Sequence, residues 1–167
     1  MSFRLNIRML AAAFGAALLL TAGGCANQQK ALDLAGSGGG AGAATPGSPQ
    51  DFQVNVGDRV FFIVDSSSLT PEARATLDRQ AAWLNQYPNY TITVEGHADE
   101  RGTREYNLAL GARRAAATRD YLASRGINPG RMRTISYGKE RPVAVCDAAS
   151  CWNQNRRAVT VVGGAGS

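Results

Sequence analysis

The stretch Tyr90-Thr-Ile-Thr-Val-Glu95-Gly-His97-Ala-Asp99-Glu-Arg-Gly102-Thr103-Arg-Glu-Tyr-Asn107-Leu-Ala-Leu110-Gly-Ala-Arg-Arg114 decides how this chain folds. Tyr90 to Glu95 is rich in β-branched residues and alternates polar with apolar, the signature of a strand. Gly96, Asp99 and Gly102 belong to a polar loop, and a helical pattern starts near Thr103. Leu108, Gly111, Ala115, Thr118 and Leu122 fall on one stripe of that helix. Gly126 followed by Ile127 predicts a Schellman-type end. The stretch is therefore a strand, a loop and a helix, and loops beyond strand ends are where α/β folds bind ligands.

Outward from it, Val60-Phe61-Phe62-Ile63-Val64 reads as a buried strand, broken by Asp65-Ser66-Ser67-Ser68. Thr70 is placed to cap a helix, with Pro71 at its first position and Glu72 complementing the dipole. Ala73, Leu77, Ala81 and Leu84 form its apolar face, and Tyr87-Pro88-Asn89 ends it. Downstream, 132–137 and 158–162 are strand candidates, with a loop from Gly138 to Pro142. The order β-α-β-α-β-β predicts an α/β protein of the α+β two-layer type. Both main helices are expected on one side of a mixed sheet.

The chain has 167 residues and a formal charge of +5. That is room for one ordinary domain, and the charge is too modest and too scattered for a nucleic-acid partner. Arg4 and Arg8 precede an apolar run from Met9 to Ala22, then Gly23-Gly24-Cys25. This reads as a secretory signal over residues 1–24, because the run is shorter than the roughly 20 residues that span a bilayer. A signal ending in small residues and a cysteine resembles the bacterial lipoprotein box, which implies acylation of Cys25. Ala26 after it implies the outer membrane, since inner-membrane lipoproteins tend to carry Asp there. Residues 25–50 are dominated by Gly, Ala, Ser, Gln and Pro and read as a tether with an r.m.s. span of roughly 25–30 Å. The domain is expected over 51–167. With Cys25 lipidated, Cys146 and Cys151 are left to form a disulfide in an exported chain. Two thiols without further nearby ligands make a poor zinc site.

Asn107, Leu110 and Arg114 lie on one helical stripe at i, i+3 and i+7, and long side chains lean towards a helix N-terminus. The Arg114 guanidinium then reaches back towards the Asp99 loop, whereas Arg113 points elsewhere. Two readings stand side by side. Asp99 and Arg114 form a clamp for a zwitterion, with Asp99 on an ammonium and Arg114 bidentate on a carboxylate. Alternatively they form a plain structural salt bridge with each other. His97-Ala-Asp99 invites a metal or acid/base reading, but His97 is the sole histidine. The expected part for His97 is to order the loop wall by hydrogen bonds, with no cofactor, no metal and no catalysis.

The motifs Glu95-Gly-His-Ala-Asp-Glu-Arg-Gly-Thr103, Glu105-Tyr-Asn107, Leu110, Arg113-Arg-Ala115, Tyr121-Leu122, Ser136-Tyr-Gly-Lys139 and Asn155-Arg-Arg-Ala-Val159 resemble one family. It is that of the peptidoglycan-associated lipoproteins, within the wider family of the C-terminal domain of outer-membrane protein A. The resemblance implies an OmpA-like fold and non-catalytic binding of meso-diaminopimelate in peptidoglycan stem peptides. It puts Asp99 at the acidic position and Arg114 at the basic one, with Asn107 as a polar support and Leu110 beside them. It further implies lipid anchoring in the outer membrane and membership of the Tol-Pal system. With these come binding to TolB and support of envelope integrity and outer-membrane constriction during division. A protein-binding scaffold and a cell-wall hydrolase are the alternatives.

Overall fold

The structure, a computed structural model, describes residues 44–165. The signal, Cys25 and most of the tether lie outside the described residues. Four strands, β1 (Arg59–Phe61), β2 (Tyr90–His97), β3 (Met132–Gly138) and β4 (Arg157–Ala165), form one sheet. Their order is β1-β4-β2-β3. β2 pairs with β3 in parallel, and β4 is antiparallel to both β1 and β2. The mixed sheet is the one expected, because strands joined by long helices must run parallel while β4 is inserted between β1 and β2.

Two long helices, α2 (Pro71–Gln86) and α3 (Arg104–Ser124), cover one face. Each starts where its cap requires: Thr70 accepts the N–H of Ala73 and Thr103 that of Tyr106, both at 3.2 Å, which satisfies donors that have no partner within the helix. α3 ends in the expected Schellman motif. Gly126 has φ +92, its N–H donates to Ala123 O, and Ile127 N–H donates to Leu122 O. Ala73, Leu77, Ala81 and Leu84 pack with Val60, Ile92, Val94, Ala115, Leu122, Ile127 and Ala158 in one core. Burial of these side chains is the main stabilising term, at roughly 1.5–3 kcal/mol for each large aliphatic.

Two expectations change, and one element is added. The apolar run at residues 60–64 does not stay in the sheet: β1 stops at Phe61, and Ile63 and Val64 are 61% and 54% exposed. Beyond Phe62, whose N–H still donates to Arg156 O, the carbonyls of Ile63 and Ser66 turn to the Arg114 guanidinium instead of a neighbouring strand. Leu108 leaves the core stripe and is 47% exposed, while Leu110, Arg114 and Asn107 are buried. The inward face of α3 is thus wider than its apolar stripe. The stretch after β3 stays free of helix through the expected loop, but a seven-residue helix that the pattern did not indicate, α4 (Ala149–Asn155), follows before β4. Cys146 and Cys151 are bridged at its start with Cα atoms 5.7 Å apart.

Packing also begins before residue 51. α1 (Pro49–Asp51) leads into a π-helical turn over Phe52–Gly57. Phe52 is fully buried edge-on to Trp83. Trp83 Nε1 donates to Asp51 at 2.8 Å, and Tyr90 donates its hydroxyl to Gly47 O.

β2 and α3 touch backbone to backbone at Gly96 and Gly111, and this contact sets where α3 delivers its buried residues. A Cβ on Gly96 would stand 1.8 Å from Gly111 O. Gly96→Ala is therefore expected to lower the unfolding free energy in a urea titration by about 3 kcal/mol. Gly164→Ala, which meets nothing within 4 Å, should change it by less than about 0.5 kcal/mol.

Candidate ligand-binding site

At the end of β2 the chain runs into the loop 98–103. The buried carboxylate of Asp99 accepts from Arg101 N at 3.2 Å, Arg101 Nε at 3.1 Å, Arg101 Nη2 at 2.7 Å and Arg156 Nη1 at 3.1 Å. Burial works to raise its pKa, but the hydrogen bonds from Arg101 and Arg156 outweigh it and hold the group below the ordinary carboxylate value.

Arg114 comes from the second turn of α3 past Asn107 and is fully buried. Its Nε donates to Ser66 O at 2.8 Å, Nη1 to His97 O at 2.8 Å and Nη2 to Ile63 O at 3.1 Å. The Phe62 ring lies 5.2 Å from the guanidinium carbon. Burial first, then repulsion from Arg156, lowers the Arg114 pKa to about 10, against the pull of Asp99 and Asp65. The group stays charged at neutral pH. An arginine has five N–H donors. Three are engaged by carbonyls, so one on each terminal nitrogen has no partner among the described residues.

Asp99 and Arg114 make no direct ion pair; each is held by other residues. The plain salt bridge between them is therefore not what the fold builds. Both instead line one cavity of about 240 Å³, together with Val64, Asp65, Arg101, Tyr106, Asn107 and Leu110. Asn107 Nδ2 donates to Arg101 O at 2.7 Å and so fixes the loop. Leu110 supplies an apolar wall. A cavity with an acidic pole, a basic pole and an apolar side fits a small zwitterion carried on a hydrocarbon stem.

Residue-by-residue reading missed Asp65, Tyr106 and Arg101 as cavity residues. Asp65 has φ 53, the left-handed region, and accepts a hydrogen bond from the Tyr106 hydroxyl. The break at Asp65-Ser-Ser-Ser pointed to a turn but not to its direction, and Tyr106 sits beside Asn107 on the helix. Arg156, 57 positions from Asp99, stands in the motif Asn155-Arg-Arg-Ala-Val159, but nothing local ties it to the site.

His97 is corrected. Its ring is buried against Tyr137 at a centroid distance of 5.6 Å, and neither ring nitrogen has a hydrogen-bond partner. It does not line the cavity; its carbonyl, not its imidazole, orders the site by receiving Arg114. Arg113 is exposed beside Tyr106 and faces away, as expected.

With this geometry in view, a family model described as the OmpA family matches residues 61–158. The chain belongs to the OmpA family. Within it, the chain is 73% identical over 151 residues to the peptidoglycan-associated lipoprotein of Rhizobium meliloti, covering 90% of this chain and 86% of the relative. It is 70% identical to the protein of the same name from Agrobacterium fabrum, over 89% of this chain and 85% of that one. The crystal structure of the peptidoglycan-associated lipoprotein from Burkholderia pseudomallei superimposes with a TM-score of 0.65 at 39% identity. It covers 70% of this chain and all (100%) of the other. The resemblance read from the motifs and the OmpA-like fold expected from it both hold. The OmpA-family match runs from β1 into β4 and so contains every cavity residue named above.

Burial, then the Arg157 and Arg141 charges, lower the His97 pKa from 6.5 to about 4. The unfolded chain therefore binds a proton that the folded one refuses between these values. The part of the stability that depends on a neutral His97 is fully present well above pH 6.5 and falls as the pH drops towards 4, by about 3 kcal/mol over the window. Urea midpoints for wild type and His97→Phe across that range should show a flatter profile for the variant.

Proposed function

We propose that the chain is a lipid-anchored envelope protein whose cavity binds peptidoglycan without catalysis, gripping the zwitterionic D-centre of meso-diaminopimelate in the stem peptide. The observation that carries this is the pair of unengaged Arg114 N–H groups beside Asp99 in one cavity. A carboxylate received by that fork gains two charge-assisted hydrogen bonds, and the adjacent ammonium finds Asp99. Val64, Leu110 and Tyr106 lie where the hydrocarbon stem of the ligand would pass. The relatives, named as peptidoglycan-associated lipoproteins, support the reading.

The signal, Cys25 and the small-residue tether complete it. Several acyl chains on Cys25 hold the chain to the periplasmic face of the outer membrane, since each buried CH₂ contributes roughly 0.8 kcal/mol. The tether lets the domain reach the wall while the lipid stays in the membrane. The protein then couples outer membrane to cell wall as part of the Tol-Pal system, with TolB as a protein partner. In that role it supports envelope integrity and constriction at division.

Sedimentation with purified sacculi tests the site. Asp99→Asn keeps the shape of the carboxylate and removes its charge; Arg114→Lys keeps the charge and removes the fork. Each is expected to weaken binding about tenfold or more. Unchanged binding in both would defeat the assignment, and release of soluble muropeptides by the wild type would favour a hydrolase. Cys25→Ser should move the protein from the membrane fraction to the soluble periplasm, as fractionation and immunoblotting would show.

A further inference from the structure

The acidic pole is already occupied. A carboxylate offers about four acceptor positions, and those of Asp99 receive four donors, three from Arg101 and one from Arg156. An incoming ammonium can bond to Asp99 only by displacing one of them.

The two guanidinium groups are not equally held. The Arg156 side chain is 8% exposed, and its two other hydrogen bonds go to Phe62 O at 3.1 Å and to the Asn153 amide oxygen. The Arg101 side chain is 42% exposed, and both of its side-chain hydrogen bonds end on Asp99. Its guanidinium carbon lies 4.2 Å from the centre of the Trp152 ring, a cation–π arrangement that does not depend on Asp99. Trp152 is itself fixed: its Nε1–H donates to Glu100 at 2.9 Å. It follows Cys151 in α4, a short helix without a side-chain cap whose first turn is bridged to Cys146.

We propose that Arg101 is the specificity gate of the cavity: an internal cation that fills the ammonium position on Asp99 and is displaced along the Trp152 ring when a ligand binds. The proposal rests on the reading of the cavity as a zwitterion site and names what makes it selective. A simple amine must break the Arg101–Asp99 pair and gains only Asp99 in return. A zwitterion also engages the Arg114 fork, which offsets the cost of displacement. Trp152 keeps the displaced guanidinium beside the site, ready to close it again.

Isothermal titration calorimetry with two probes tests this, meso-diaminopimelic acid and cadaverine, a diamine of similar length without carboxylates. Arg101→Gln is expected to bind meso-diaminopimelic acid about fivefold more tightly than wild type, the size of one partly exposed ion pair. It should also acquire measurable binding of cadaverine. The acid limb of its binding profile should move to higher pH, because Asp99 loses a cation that lowers its pKa. A merely structural arginine would not produce that set of changes. Weaker or unchanged binding of meso-diaminopimelic acid by Arg101→Gln, with an unmoved acid limb, overturns the gate. Asp99→Asn separates the two levels: if it abolishes binding while Arg101→Gln fails to tighten it, only the gate is wrong. If Asp99→Asn binds as well as wild type, the zwitterion site and the gate fall together.

Discussion

The buried guanidinium of Arg114 is the constraint on which the rest of this domain depends. It donates to three carbonyls from two segments: Ile63 and Ser66 after β1, and His97 at the end of β2. A buried charge is tolerated only if it is paired or fully hydrogen-bonded. Here the compensation comes mainly from backbone dipoles, with Asp99 and Asp65 acting through space. Because no carboxylate chelates Arg114 directly, one donor on each terminal nitrogen has no partner among the described residues. One arrangement thus joins the loops and leaves the basic pole available.

The position of Arg114 depends in turn on how closely α3 lies on β2. Gly96 and Gly111 allow the helix backbone to rest on the strand, and the hydroxyl of Ser136 on the neighbouring strand β3 donates to Leu108 O of α3 at 2.6 Å. A helix held further off would withdraw the guanidinium from His97 O. The same approach explains why α3 buries Asn107 and Arg114 along with its apolar stripe. Its inward face is a polar site at the N-terminal half and a hydrophobic core at the C-terminal half.

The opposite pole is built differently. Asp99 is held within a loop, and that loop is braced from outside by Lys139, which donates to the carbonyls of Glu100 and Gly102, and by Trp152 on α4. The disulfide lies at the edge of this brace, so a five-residue separation between cysteines bears on the loop that holds Asp99 more than on overall stability. Small rings restrict the unfolded chain only modestly.

Much of the fold was legible because local chemistry and tertiary need agreed. Thr70-Pro71, Thr103 and Gly126-Ile127 set helix ends through hydrogen bonds within a few residues, and Ala73, Leu77, Ala81 and Leu84 declared their face by period alone. Asp99, Asn107, Leu110 and Arg114 were also readable as one cluster, since a strand end and the next helix bring them together over a short span. What local pattern does not carry is long-range partnership. Ile63 and Val64 have the composition of a buried strand, yet they are exposed because nearby carbonyls are needed by an arginine about fifty positions away. Arg156 reaches Asp99 from the far end of the chain, and the His97 ring turned away from the site that its motif advertised. The amino-acid sequence by itself determined the two long helices with their caps, strands β2, β3 and β4, and the charged residues Asp99 and Arg114 that stand at the two poles of the cavity. Only the tertiary structure decided which groups neutralise those poles and which donors are left for a ligand, because that depends on carbonyls and guanidinium groups meeting across the fold.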